Sequence, residues 1–116
     1  MTTVKIGGAE YPVRFSIGVL AAMNDKYGAN GQQKIFDAVG KGDVSPLIWL
    51  TAKMIDNGIR YQRIMGETVE TDTPDEGTLG TLIGPFEMGE VMQAITAAMT
   101  EGNKTTVESA AKDKKK

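Results

Sequence analysis

The carboxylates between Gly66 and Gly77 form the densest cluster of potentially reactive or metal-binding side chains in this sequence. They are Glu67, Glu70, Asp72, Asp75 and Glu76. Carboxylate oxygens are the ligands that hard cations such as Ca²⁺ and Mg²⁺ prefer. A calcium-binding EF-hand loop, however, places acidic residues at alternating positions around a central glycine and closes with a glutamate, and the order here differs. We therefore predict a solvated loop and no metal site.

The absence of cysteine and histidine removes most of the common catalytic chemistry. Thiol and imidazole nucleophiles, Ser–His triads, and zinc, haem or iron–sulfur ligation by these residues are excluded. A carboxylate pair acting as general acid and base needs a rigid cleft, which a threonine-rich polar loop does not supply. Gly77, Gly80 and Gly84 lack the Lys-Ser or Lys-Thr of a phosphate-binding loop. We expect a protein that is not an enzyme and uses no cofactor.

The charge and hydropathy of the chain argue against two classes of partner, nucleic acids and membranes. The 116 residues carry a formal net charge of −2, with a pI of about 5.1. Nucleic-acid binding depends on a surplus of positive charge, so we expect none. No apolar run approaches the roughly 18 residues of a membrane span, and the first residues lack a basic start followed by an apolar stretch. We expect a cytosolic protein that does not enter a membrane.

Length and composition fit a single domain over residues 1–102, followed by a basic tail at 103–116. The tail holds five lysines and two carboxylates, a net charge of +3, which leaves −5 for residues 1–102. Its residues show no apolar periodicity, so we predict a disordered segment.

The N-terminal residues predict a β-hairpin. Apolar residues alternate with polar ones on both sides of Gly7-Gly8, a pair that tolerates the positive φ of a two-residue turn. These apolar residues are Val4, Ile6, Tyr11, Val13 and Phe15. Pro12 has no N–H to donate, so its strand should be an edge or carry Pro12 on the unpaired side. Two strands alone are marginal in water, and the hairpin must therefore pack on helices.

Two helices are predicted after the hairpin. Ser16 is a good N-cap for the first, which Gly28 ends. Its apolar stripe consists of Ile17, Leu20, Ala21 and Tyr27. The second is predicted at about Gln32–Val39, with Ile35, Phe36 and Val39 facing inward.

The third helix is the longest apolar-periodic stretch. Ser45 is the expected cap and Pro46 the first helical residue. The stripe contains Leu47, Ile48, Leu50, Met54, Ile55 and Ile59 and continues toward Ile64. Gly58 weakens this helix and suggests a bend. Trp49 has two interpretations, as a core anchor or as a binding residue.

Two further helices complete the predicted fold. Thr78 is the expected cap of a short turn through Ile83, and Gly84-Pro85 opens a last helix that Gly102 ends. One face of this last helix carries Met88, Val91, Met92, Ile95, Ala98 and Met99. The signals together predict a mainly α fold, with a small N-terminal β-hairpin packed on four to five helices.

The methionines of the last helix are the candidate binding residues. Methionine is flexible and polarisable, and it is common on surfaces that adapt to varied apolar partners. The predicted partner-binding residues are Met88, Val91, Met92, Ile95 and Met99. The alternative is that the same residues fill the core.

The order of motifs resembles the tail assembly chaperones of long-tailed phages and prophages of Gram-positive hosts. That family commonly opens with a short hairpin, an aromatic-Pro-apolar-basic-Phe strand, and a capped helix ending in Tyr-Gly. The matching positions are Tyr11, Pro12, Val13, Arg14, Phe15, Ser16, Tyr27 and Gly28. A long middle helix, an acidic loop, a Pro-started apolar helix and a charged tail follow in the same order, so the resemblance covers roughly residues 4–101.

The resemblance implies a non-enzymatic protein of the host cytoplasm that is absent from the mature virion. Such a protein coats the tape measure protein and recruits tail tube subunits. Self-association of this chain is a further hypothesis about its partners. Family members are often also made in a longer form by a programmed frameshift, and the Lys114-Lys115-Lys116 run is where such a slip is expected. Two alternatives stay open: a structural head–tail connector or tail-completion protein, and a small enzyme or metal-binding module.

Overall fold

The chain folds as a β-hairpin followed by helices, as predicted. The computed structural model describes the backbone of residues 1–115 and the side chains of residues 1–102. Over that range the elements are β1 (Thr3–Ile6), β2 (Ala9–Pro12), α1 (Ile17–Tyr27), α2 (Gly31–Gly40), α3 (Ser45–Ile64), α4 (Glu76–Leu82), a 3₁₀ turn (Pro85–Glu87) and α5 (Met88–Lys115). The backbone of α5 continues through residues 103–115, where a disordered basic tail was predicted. The side chains of residues 103–116, including those of the lysine run, lie outside the described residues.

The hairpin turn has the geometry that its glycines predict. Gly7 and Gly8 adopt φ values of 59° and 83°, which side chains disfavour. The strands pair antiparallel, with Val4 opposite Tyr11 and the last pair formed by Thr3 and Pro12. Hydrogen-bonded and open pairs alternate away from the turn, so Pro12 occupies an open position. Its missing N–H therefore costs no ladder hydrogen bond.

The hairpin lies directly against the backbone of α3. A Cβ added to Gly58 would lie 2.5 Å from the carbonyl oxygen of Pro12, so only glycine permits this approach. Just beyond β2, the backbone N–H of Arg14 donates to the carbonyl oxygen of Met54 at 3.0 Å. Gly58 was expected to weaken α3 or bend it; its role in the structure is to let β2 touch the helix.

Helix α3 is the centre of the core. It contacts β2 and all four other helices, because its apolar residues occupy most of its circumference. Its fully buried large side chains are Leu47, Leu50, Met54, Ile55 and Ile59. Trp49 is also buried and meets the Tyr27 ring edge-on, with 5.5 Å between ring centroids, so it is a core anchor. Ile64, expected at the end of the stripe, is exposed.

The buried face of α1 differs from the predicted stripe. Ser16 does cap the helix, since its Oγ accepts from the Val19 backbone N–H at 3.3 Å. The buried residues are Val19 and Met23, whereas Ile17 is 80% exposed. Both sets of residues have helical spacing, so spacing alone does not select the buried face of α1. The face with Met23 is the buried one because Gly31 of α2 packs against the Met23 carbonyl.

Two helix ends also differ from prediction. Ser45 lies inside the first turn of α3 with Val44 as N-cap, and the Ser45 N–H donates to Asp43 Oδ1 at 3.2 Å. Gly102 does not end α5, which remains helical there. A Cβ on Gly102 would lie 2.7 Å from the Phe15 carbonyl oxygen. This glycine is therefore explained by close packing against the segment that joins β2 to α1.

A glycine-to-alanine pair tests the contact between β2 and α3. Gly58→Ala should destabilise the protein by about 1–3 kcal/mol, because the added methyl forces the hairpin off the helix. Gly89→Ala on α5 has open space around the new methyl and should be neutral or stabilise by up to about 1 kcal/mol. Urea denaturation measures both. Equal stability of the Gly58→Ala protein and wild type would contradict the contact.

Candidate partner-binding surface

The predicted partner-binding residues lie mostly on the inner face of α5. Val91, Ile95 and Met99 are 2%, 0% and 3% exposed, so they belong to the core of the domain. Met88 and Met92 are half-buried and pack against that core. The burial of Val91, Ile95 and Met99 has a simple physical cause: α5 needs an apolar stripe to pack on α3 and β1, and these residues belong to that stripe.

The outer face of α5 carries a shallow apolar groove instead. We call it the α5 groove; its lining residues are Gly89, Met92, Gln93, Thr96 and Ala97, and its volume is about 500 Å³. Met92 is the one member shared with the predicted set. Sequence reasoning missed the other four because each is small or polar. The sequence did contain one signal of this surface, a lack of charge: no residue from Val91 to Thr100 is ionisable, although half of this stretch of α5 faces outward.

An exposed aromatic residue lies just before α5. Phe86 is in the 3₁₀ turn, three residues before Gly89, and its side chain is fully exposed. Glu87 and Glu90 follow along the chain, and neither forms an ion pair with any residue whose side chain is described. A large exposed aromatic ring beside an apolar groove is the composition of a protein-contact surface.

Two other clefts are smaller and more polar. One, of about 380 Å³, lies between α1 and α2 and is lined by the amides of Asn24, Asn30, Gln32 and Gln33 together with Leu20, Gly31 and Phe36. The other, of about 260 Å³, lies between the hairpin, the end of α3 and the acidic loop. Neither brings together side chains with the chemistry of a catalytic or metal site.

The acidic loop is held against α3 by polar contacts. The Arg63 guanidinium donates through Nη2 and Nε to the Val69 carbonyl oxygen at 2.9 and 3.2 Å. The Thr73 hydroxyl donates to Asp56 Oδ1 at 3.1 Å. Among the residues with described side chains, no three His, Cys, Asp or Glu are grouped so as to hold a metal ion.

One carboxylate of this loop has a structural role. Asp75, rather than the expected Thr78, caps α4: its Oδ1 accepts from the Thr78 backbone N–H at 2.7 Å. This N–H, and then the Thr78 hydroxyl, stabilise the carboxylate and lower the pKa of Asp75. Burial raises the pKa of Tyr27, and the negative charges of Glu76 and Asp43 raise it further.

Comparison with known proteins adds no relative: no family model matches the chain, and no curated protein or solved structure is significantly similar to it. None of the helices in the described residues combines the length and apolar content that a bilayer crossing requires. The resemblance to tail assembly chaperones therefore depends on the motifs of the chain itself.

The cap at Asp75 predicts a specific pH dependence. A carboxyl whose pKa is lower in the folded than in the unfolded chain stabilises the fold above its unfolded pKa, and this contribution disappears as the pH falls through the folded pKa. Asparagine also caps but does not ionise. The Tm of wild type should therefore exceed that of Asp75→Asn at pH 7, and the difference should vanish in the acid range. A Tm difference that does not change with pH would contradict this role.

A matched pair of methionine substitutions tests the two faces of α5. Met99→Gln buries an amide without a partner in the core and should cost about 3 kcal/mol in the free energy of unfolding. Met92→Gln lies at the groove, where water reaches the amide, and should cost less than about 1 kcal/mol. Thermal and urea denaturation compare the two variants. A larger loss of stability for Met92→Gln than for Met99→Gln would contradict the assignment of Met99 to the buried face of α5 and of Met92 to its outer face.

Proposed function

We propose that this chain is a phage tail assembly chaperone: a non-enzymatic protein of the host cytoplasm, absent from the mature virion, that binds the tape measure protein and recruits tail tube subunits. The α5 groove is the observation that carries the proposal. A groove without charge along one face of a packed helix suits an amphipathic helix laid into it. A tape measure protein, long and largely helical by the same resemblance, offers many such helices.

The residues that carry the family resemblance support the proposal through their structural roles. Tyr11 is buried on the hairpin, Pro12 contacts α3, and Ser16 caps α1. Tyr27 packs on Trp49, and Gly28 has a φ of 79° at the end of α1. The motif thus specifies the junction of hairpin, α1 and α3. The same sequence pattern in the family is expected to build the same junction.

Co-expression with the cognate tape measure protein tests this function. Wild type should hold the tape measure protein in the supernatant after lysis and centrifugation, because its apolar helices are covered. Ala97→Trp fills the α5 groove and should abolish this effect. Ala21→Trp makes the same change at an exposed position of α1 and should leave it intact.

Two results would contradict the proposal. A tape measure protein that stays insoluble when it is co-expressed with wild type would contradict the chaperone function. Detection of this chain in purified virions by mass spectrometry would instead support a head–tail connector or tail-completion protein. Both Ala→Trp proteins must first show a cooperative melt near that of wild type.

A further inference from the structure

Within residues 1–102, the charges divide sharply at the end of α3. Residues 1–63 contain eight Lys or Arg and five Asp or Glu, whereas residues 64–102 contain eight Asp or Glu and no Lys or Arg. The second segment supplies the acidic loop, α4, the 3₁₀ turn and the part of α5 that carries the groove. The residues that line the α5 groove therefore belong to a segment without positive charge.

Carboxylates follow one edge of the α5 groove. Glu90 and Ala97 are seven residues apart, so they lie on the same side of the helix two turns from each other. Glu87 lies three residues before Glu90, and Glu101 lies four residues after Ala97 on that side. Glu101 accepts a hydrogen bond of 2.7 Å from the Thr2 hydroxyl, which places the far end of this edge beside the hairpin. The groove is thus apolar along its length and negative along this edge.

We propose that the α5 groove binds a cationic amphipathic helix, with the apolar face of the ligand in the groove and its Lys or Arg residues along the Glu87–Glu90 edge. The inference rests on the proposed function and specifies which segments of the partner are bound. Small residues such as Gly89 and Ala97 let a partner helix approach closely, as ridges pack into grooves between helices. The carboxylates of Glu87 and Glu90, which form no ion pair with any residue whose side chain is described, then select for positive charge.

Charge also argues against a second copy of this chain docked face to face. A two-fold interface places the same surface patch on both sides. Both patches would then carry the carboxylates of Glu87 and Glu90, and neither would supply a Lys or Arg from residues 64–102 to pair with them, so the interface would bring together negative charge without compensation. The exposed Phe86 ring adds an apolar anchor that a helix of opposite charge can cover.

Two synthetic peptides of equal length serve as probes. One is a helix-forming Leu/Lys peptide with leucines on one face and lysines on the other; its partner is the matching Leu/Glu peptide. Fluorescence anisotropy with wild type should show binding of the Leu/Lys peptide that weakens as NaCl rises, and no binding of the Leu/Glu peptide.

Matched charge reversals locate the binding site. The double variant Glu87→Lys/Glu90→Lys should weaken binding of the Leu/Lys peptide about tenfold or more. Glu67→Lys/Glu70→Lys makes the same change in net charge on the acidic loop and should have little effect. Equal losses of affinity in both double variants would mean that the peptide responds only to the net charge of the protein, and this would overturn the proposal. Failure of wild type to bind the Leu/Lys peptide would also overturn it.

Two further measurements distinguish a failure of this inference from a failure of the proposed function. If wild type and Glu87→Lys/Glu90→Lys both keep the tape measure protein in solution, the chaperone function stands and the cationic ligand is wrong. If sedimentation velocity shows a dimer of wild type that Ala97→Trp dissociates, the groove belongs to a second copy, which also overturns the inference. Loss of tape measure rescue in Glu87→Lys/Glu90→Lys but not in Glu67→Lys/Glu70→Lys supports it.

Discussion

The close contact between the Pro12 carbonyl and Gly58 is the constraint on which the rest of the fold depends. A two-stranded sheet is not stable alone, and here its second strand is in direct contact with the middle of α3. The contact places Val4, Ile6 and Tyr11 in the same core as the large side chains of α3. Any side chain at position 58 would move the hairpin outward and open that core.

With the hairpin on one side, α3 needs cover on its other sides, and the remaining helices supply it. Helices α1 and α2 pack near its first half around Trp49 and Tyr27, and α4 packs beside Ile48. Helix α5 lies across α3 and β1, where Ile95 and Met99 are buried. This packing buries the inner face of α5 and leaves its outer face exposed.

That outer face is unusual for an exposed helix surface because its central residues carry no charge. Exposed helix faces in globular proteins normally carry many charged residues. Between residues 87 and 102 the charges lie along one edge, at Glu87, Glu90 and Glu101, and the centre consists of small, polar and thioether side chains. An uncharged centre with a charged rim is common in protein-binding sites, and it supports the docking surface proposed above. The acidic loop, by contrast, is tied to α3 by Arg63 and Asp56 and has a structural role.

The sequence by itself determined the features that depend on local geometry. Gly7-Gly8 required a tight turn, Ser16 required a helix start, and the stripe of α3 required a helix buried along most of its length. Only the tertiary structure decided which of two stripes on α1 is buried, why Gly58 and Gly102 are glycine, and that Met99 is core while Met92 borders a groove. These depend on which backbone approaches from another part of the chain, and such distances leave no periodic signal in the sequence. The α5 groove could not be predicted from the sequence for the same reason. Its small residues can be assigned to an exposed surface only when the opposite face of the helix is known to be buried.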